Sequence, residues 1–201
     1  MIKINLIIIL LLTGCSFAPL TSHHTANPIG KGKSSLKLGL SPLPVVSYSR
    51  GMSQQVDLNL FFEYQLVPIV GGSFKFSLGK QGLGSNLAVS LGASGNSTSK
   101  AYYSGIITSY RSQTFEPYFN FRYNYVTWDS SKIESDEDKL NDFFSKMSKH
   151  FHYYQAIAGL NIWFSKTFGL NPNAKILLDE DFKATSDDNS VTPSLNLVWG
   201  F

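Results

Sequence analysis

The chain has 201 residues, with 17 Lys and Arg against 14 Asp and Glu; the formal charge of +3 is too weak a bias to imply a nucleic-acid partner. Charged residues make up only 15% and aromatic residues 14%, with 16 glycines, a balance that suits a β-rich protein better than a helical bundle. The single cysteine, Cys15, excludes an internal disulfide and calls for another explanation. At the amino terminus Met1, Ile2 and Lys3 form a short positive start, Ile4 to Leu12 is apolar apart from Asn5, and Thr13 and Gly14 are small. That is the layout of a secretory signal peptide, and the apolar run is too short for a transmembrane helix, which needs roughly 20 residues.

Leu12-Thr13-Gly14-Cys15 resembles the lipobox of bacterial lipoproteins. The resemblance implies cleavage before Cys15, after diacylglyceryl transfer to its thiol and followed by acylation of the new amino group, palmitate being a typical chain. A thiolate is nucleophilic enough to form the thioether. Each buried methylene contributes about 0.8 kcal/mol, so two or three chains anchor a protein stably where one does not. Ser16 follows the cysteine, and in enterobacterial lipoproteins a residue other than aspartate there favours export to the outer membrane. The expected organisation is a signal peptide over 1–14, a lipidated flexible tether over 15–33 and a β-barrel domain over 34–201. The tether contains His23-His24, Pro28 and several Ser, Thr and Gly without periodicity.

From Ser34 the chain repeats short runs of alternating apolar and polar residues. Leu36-Leu38-Leu40 and Val45–Ser49 come first. Gln55–Tyr64 is the clearest, with Val56, Leu58, Leu60, Phe62 and Tyr64 opposite Gln55, Asp57, Asn59 and Glu63. Phe74-Phe76-Leu78, Leu87-Val89-Leu91 and the less regular Ala101–Tyr110 follow. Phe115–Tyr125 places Phe115, Phe119, Phe121, Tyr123 and Tyr125 opposite Glu116, Asn120, Arg122 and Asn124. Tyr154 to Phe164, the weak Ala174–Phe182 and Val191–Phe201 complete the set. Tight turns are expected at Arg50–Ser53, Gly79–Gly82, Gly95–Ser97 and Asn171-Pro172-Asn173. The one helical candidate, Asp136–Lys149, lies in the longest connection, Trp128 to His150.

These elements predict an all-β fold, an antiparallel up-and-down barrel of about 8–10 strands: ten, or eight if the first two merge and Ala174–Phe182 is dropped. Parity favours an even number, because the lipid and the final strand both belong on the periplasmic side. Asp57, Glu63, Lys75, Glu116, Arg122 and Lys175 are expected to be enclosed together and paired. An eight- or ten-strand interior is filled by side chains, so an open diffusion channel is not expected. The alternation alone also fits a lipid-anchored soluble barrel that binds an apolar ligand.

Leu195, Leu197, Trp199 and Phe201 resemble the terminal β-signal read by the outer-membrane assembly machinery, and Tyr48–Gly51 followed by Val56–Leu60 looks like the first hairpin of small outer-membrane barrels. Tyr102, Tyr103, Tyr123, Tyr125, Trp128, Trp163 and Trp199 lie towards strand ends, where aromatic girdles sit. The resemblance implies an outer-membrane, lipid-anchored protein with a structural or surface-interaction role and no catalysis, whose partners are membrane lipid and the assembly machinery. A further alternative is a lipid A-modifying enzyme using His150 or His152 with Ser145, Ser148, Glu134 or Asp136, but no His-x-Ser-Asn-like arrangement is present. His150-x-His152 has no nearby carboxylate that completes a zinc spacing, and Gly79–Gly84 joins two strands without the helix a phosphate loop needs. No cofactor is expected.

Overall fold

The computed structural model describes residues 25–41, 43–64, 68–128, 150–183 and 191–201. Ten strands run in chain order: β1 (Ser34–Leu40), β2 (Pro44–Gly51), β3 (Val56–Tyr64), β4 (Pro68–Ser77), β5 (Gly84–Gly95), β6 (Ser99–Arg111), β7 (Phe115–Trp128), β8 (His150–Trp163), β9 (Phe168–Leu178) and β10 (Val191–Gly200). Each pairs antiparallel with its chain neighbour. β1 closes on β10 with Leu38 opposite Leu197, so no sheet edge is left open. The fold is therefore the expected all-β up-and-down barrel, with ten strands rather than eight.

Short polar turns close the hairpins at one end. The Ser53 hydroxyl accepts from the Val56 amide, and the Ser112 hydroxyl accepts from the Phe115 amide. Both chain termini of the barrel share this end, called here the terminal end. At the opposite, far end, the Asn96 carboxamide oxygen accepts from the Thr98 and Ser99 amides. The connection from Trp128 to His150 is also at the far end; its residues, the helical candidate included, lie outside the described set.

Two readings of the sequence need correction. Asn171-Pro172-Asn173 is not a turn but the middle of β9, which begins six residues before the expected Ala174. Pro172 pairs with Leu195 of β10, while the register with β8 lapses between Gly159–Asn173 and Ile162–Leu170. A proline lacks the N–H that an unbroken ladder needs, yet its flanking asparagines are held from inside the barrel. Tyr103 and Trp128 are the second correction, because both are buried inside the barrel rather than placed on an outer girdle. Trp163 also faces inward, where Arg111 lies 5.4 Å over its ring. Alternation assigns a ring to one of two faces, and these three fall on the inner one.

The burial pattern is inverted relative to a soluble barrel. On the outer face Leu38, Leu60, Val70, Ile106, Phe119 and Leu195 are exposed, spaced around the circumference. Among strand residues the outward-facing fixed charges are Arg50 and Lys100, one at the terminal end of β2 and one at the far end of β6. Every other charged strand residue points inward.

Candidate functional site

The lumen is the chemically distinctive region. Asp57, Glu63, Lys75, Glu116, Arg122 and Lys175 are all buried there, as alternation predicts, and Lys37 joins them. Asp57 and Lys75 face each other directly across β3 and β4, and their ion pair closes at 2.9 Å. Lys175 of β9 donates to the Ser41 hydroxyl just beyond the end of β1, past the intervening β10. Arg122 lies 4.8 Å over the Tyr103 ring. Pairing of this kind is needed, because a buried charge without a partner costs several kcal/mol, on the order of 3–5 when one member of a pair is removed.

Beside the charges runs an amide network on β8, β9 and β10. Asn171 donates to Asn161 at 2.6 Å, and its own oxygen accepts from Asn173 at 2.9 Å and Asn196 at 3.1 Å. The Ser194 hydroxyl donates to Asn173. Tyr118 reaches the same group, and it can do so because Gly159 opposite leaves space that a Cβ would fill. Towards the far end apolar clusters join the buried charges: Ala101, Val126 and Tyr153 form one cluster, and Phe61, Ile69 and Tyr103 another.

The terminal end is closed differently. Residues 25–29, assigned from sequence to the tether, lie inside the barrel. Ala26 is fully buried against Ala88 and Ile107. Its amide donates to the Ser109 hydroxyl and its carbonyl accepts from Ser77. The Asn27 side chain donates to Glu116 at 2.8 Å and accepts from Asn86 at 2.6 Å. Lys75 donates to the carbonyls of Thr25 and Asn27, and Asp57 accepts from the Ile29 amide. The chain then reverses through Gly30 and Gly32, both at positive φ, before entering β1. Five strands thus supply the partners of one short segment. Nothing local in residues 25–29 signals this, because every partner is distant in sequence.

Beside this segment is a cavity of about 230 Å³ lined from β1, β2 and β3 and also from β7, β8 and β10, with Lys33, Arg111 and Lys166 in its lining. Ser47 and Asn59 line it and are almost wholly buried. The Ser49 hydroxyl donates to Asn59 Oδ1 at 2.7 Å, and among the described residues Asn59 Nδ2 has no partner. Ser47 Oγ and Glu116 Oε2 likewise have no partner among the described residues.

The remaining sequence candidates are dispersed. Cys15 and His23-His24 lie outside the described residues, as do Ser145, Ser148, Glu134 and Asp136. His150 and His152 stand on the outer face of β8, His150 stacked on Tyr125 and His152 tilted against Tyr123. His152 Nε2 is 3.3 Å from Glu180, an exposed pair at the far rim. Beside it Phe182 lies 4.5 Å from Tyr154, so the start of the β9–β10 connection rests on the outer wall. Gly79–Gly84 is the hairpin turn expected from sequence, and Gln81 within it donates to the Ile29 carbonyl.

No protein-family model and no curated protein matches the chain. Among solved structures it is similar to the N-terminal β-barrel domain of Pseudomonas aeruginosa OprF, at 13% identity over 86% of this chain and 99% of that one, with a TM-score of 0.39. It is also similar to a barrel from the de novo design of transmembrane β-barrels, at 16% identity over 85% of this chain and 97% of that one, with a TM-score of 0.36. LpxR from Salmonella typhimurium matches at 10% identity over 92% of this chain and 78% of that one, with a TM-score of 0.39. The shared feature is a small β-barrel, and no ligand or activity follows from it.

Proposed function

We propose that the chain is an outer-membrane lipoprotein whose barrel crosses the membrane with a closed lumen and serves a structural or surface-interaction role in the envelope, without catalysis. The observation that carries this reading is the inverted wall. Exposing a large apolar side chain to water forfeits about 1.5–3 kcal/mol, and here such residues ring the barrel. A docking partner covers a patch; only a lipid phase covers a full circumference. Arg50 and Lys100 sit at opposite strand ends, where long cationic side chains can reach water from a membrane surface.

The lumen weighs against the soluble alternative, because a carrier of apolar ligands needs an apolar chamber. The charged and amide groups described above occupy that space. A closed lumen also fits a role other than diffusion, since its interior is filled by side chains and by residues 25–29.

Lipidation of Cys15 fits the position of the amino-terminal segment. From Cys15 to Thr25 the chain reaches on the order of 30 Å at roughly 3.3–3.6 Å per residue, enough to pass from the terminal mouth over the rim to the adjacent leaflet. The terminal end then faces the periplasm and the far end the cell exterior.

Heat-modifiability in mild detergent tests the membrane reading. A faster-migrating unboiled band, with the protein retained in outer-membrane fractions of a Cys15→Ser variant, is expected. Release of that variant as a soluble folded domain contradicts it. Labelling with radioactive palmitate, present in the parent chain and absent from Cys15→Ser, tests the lipid separately. An unchanged lipid A profile after His150→Ala and His152→Ala is expected of a non-catalytic barrel.

A further inference from the structure

We propose that the terminal end of the barrel is an electrostatic docking ring for anionic phospholipid headgroups of the leaflet around it. The charge of the chain is sorted by end. Lys31, Lys33, Arg50, Lys80 and Lys166 are exposed at the terminal end, and Arg111 is half-buried there. Among the described residues no acidic side chain is exposed at that end, since Asp179, Glu180 and Asp181 all belong to the far end. Asp57 and Glu116 are fully buried in the lumen, Asp57 against Lys75 and Glu116 held by Asn27 and Ser109. Residues 16–24 add two histidines and no acid. Like charges gathered without counterions repel one another, so an end of this kind is stabilised by an external anionic surface.

The cations are spread around the mouth. Lys31 and Lys33 precede β1, Arg50 is at the end of β2, Lys80 is in the β4–β5 turn, Arg111 ends β6 and Lys166 is in the β8–β9 turn. Charges on every side of a barrel meet a surrounding leaflet, whereas a single docked protein reaches one side. Their depth points to the same partner. Phe164, Phe168 and Trp199 form an aromatic cluster on the outer wall at this end, with successive ring centroids 5.8 Å and 5.4 Å apart. Such rings sit at the lipid–water boundary. The Thr167 carbonyl accepts from the Gly200 amide and the Phe201 carbonyl from the Ser34 amide, so Lys166 and Lys33 stand just beyond Trp199, at headgroup level. Turns 52–55, 78–83, 112–114 and 164–167 are short, so these cations stay at that level and do not reach down to the cell-wall polymer. Each Lys or Arg at an anionic lipid surface strengthens association by about fivefold.

The inference rests on the membrane-crossing reading, and one assay separates the two. Trp128→Phe with Trp163→Phe leaves Trp199 as the reporter of the terminal end. The purified mature chain is placed in phosphatidylcholine vesicles that carry a fixed fraction of chain-brominated phosphatidylcholine or of chain-brominated phosphatidylglycerol. Quenching by the brominated phosphatidylcholine reports lipid contact alone, and the ratio of the two quenching curves gives the relative association of the anionic lipid. Phosphatidylglycerol is expected to associate at least about threefold more tightly beside Trp199. The preference should fall to parity in salt of about 1 M, where the screening length is about 3 Å. Combined Lys31→Gln, Lys33→Gln, Lys80→Gln and Lys166→Gln should abolish it while quenching by brominated phosphatidylcholine stays. If that variant does not fold, Lys33→Gln with Lys166→Gln decides the matter, with an expected loss of at least about twofold. A Leu195→Trp probe in a tryptophan-free background, near the far end of β10, should show no preference.

Equal quenching of Trp199 by the two brominated lipids overturns this inference and leaves the membrane-crossing barrel standing. A preference that survives in high salt or in the folded lysine variants overturns it as well. No quenching of Trp199 by either lipid overturns the membrane reading and the inference together. Equal quenching combined with co-sedimentation on isolated peptidoglycan sacculi, lost in the lysine variants, assigns the ring to the cell wall and also overturns the proposal.

Discussion

The two ends of the lumen are closed by opposite means. At the far end the strands close it themselves, with apolar residues such as Val126, Ile69 and Tyr103 turned inward around the buried charges of Glu63, Arg122 and Lys175. At the terminal end a separate segment, residues 25–29, is inserted and held by polar side chains of β3 to β7. Apolar closure is non-directional and belongs to the barrel wall. Polar closure is directional, and it requires a donor or acceptor for each buried group of the inserted chain. Damage at the far end should therefore weaken the barrel as a whole, whereas damage at the terminal end should first release the segment.

The strongest way to break this contrast is Asp57→Ala. It strands buried Lys75 and removes the acceptor of the Ile29 amide, and it is expected to cost about 3–5 kcal/mol in urea unfolding from detergent micelles. Asp57→Leu combined with Lys75→Met should cost less than the single change, because no charge is then left unpaired. Ile69→Ala comes next, with an expected loss of about 2–5 kcal/mol from cavity formation beside Phe61 and Tyr103. In that variant hydrogen exchange of the Ala26 and Ile29 amides should remain as slow as in the parent chain.

Asn27→Ala reverses the signature. It removes one partner from Glu116, which keeps Ser109, and one from Asn86, which keeps the Lys80 carbonyl, and should cost about 1–3 kcal/mol. The Ala26 amide should then exchange faster while amides of β6 and β7 stay protected. Equal acceleration throughout contradicts the separation of the two closures. The smallest effect is expected for Glu180→Ala at the exposed rim, which should change stability by no more than about 0.5 kcal/mol.

How much of this could be read from sequence follows from the range of each interaction. The faces of β3 and β7 were legible because strand geometry repeats every two residues, so one charged residue fixes the phase of its whole run. Asp57, Glu63, Lys75, Glu116, Arg122 and Lys175 were placed inside on that basis. Lys37 lay opposite Leu36, Leu38 and Leu40 in the same pattern, though the run was short enough to be read only from its apolar side. Asn171-Pro172-Asn173 misled because local turn preference was overridden by amide bonds to β8 and β10, which no local window contains. The inserted segment was illegible for the same reason, its partners lying on five strands. Ser47, Ser49 and Asn59 carried no signal of the cavity they line. Serine and asparagine are ordinary lumen residues, and only the register of three strands brings these together.

The central claim, that the outer wall meets lipid and the inner wall does not, is tested most directly by tryptophan quenching. The chain has three tryptophans, so Phe replacements of Trp128, Trp163 and Trp199 provide a silent background. A single Phe119→Trp probe in that background sits on the outer face of β7, and retaining only Trp163 gives an inward-facing comparison. In bilayers of lipids brominated on their acyl chains, strong quenching of the Phe119→Trp probe and little quenching of Trp163 is the predicted result. A Phe119→Trp probe that is quenched by aqueous iodide and untouched by brominated chains would contradict the membrane-spanning barrel.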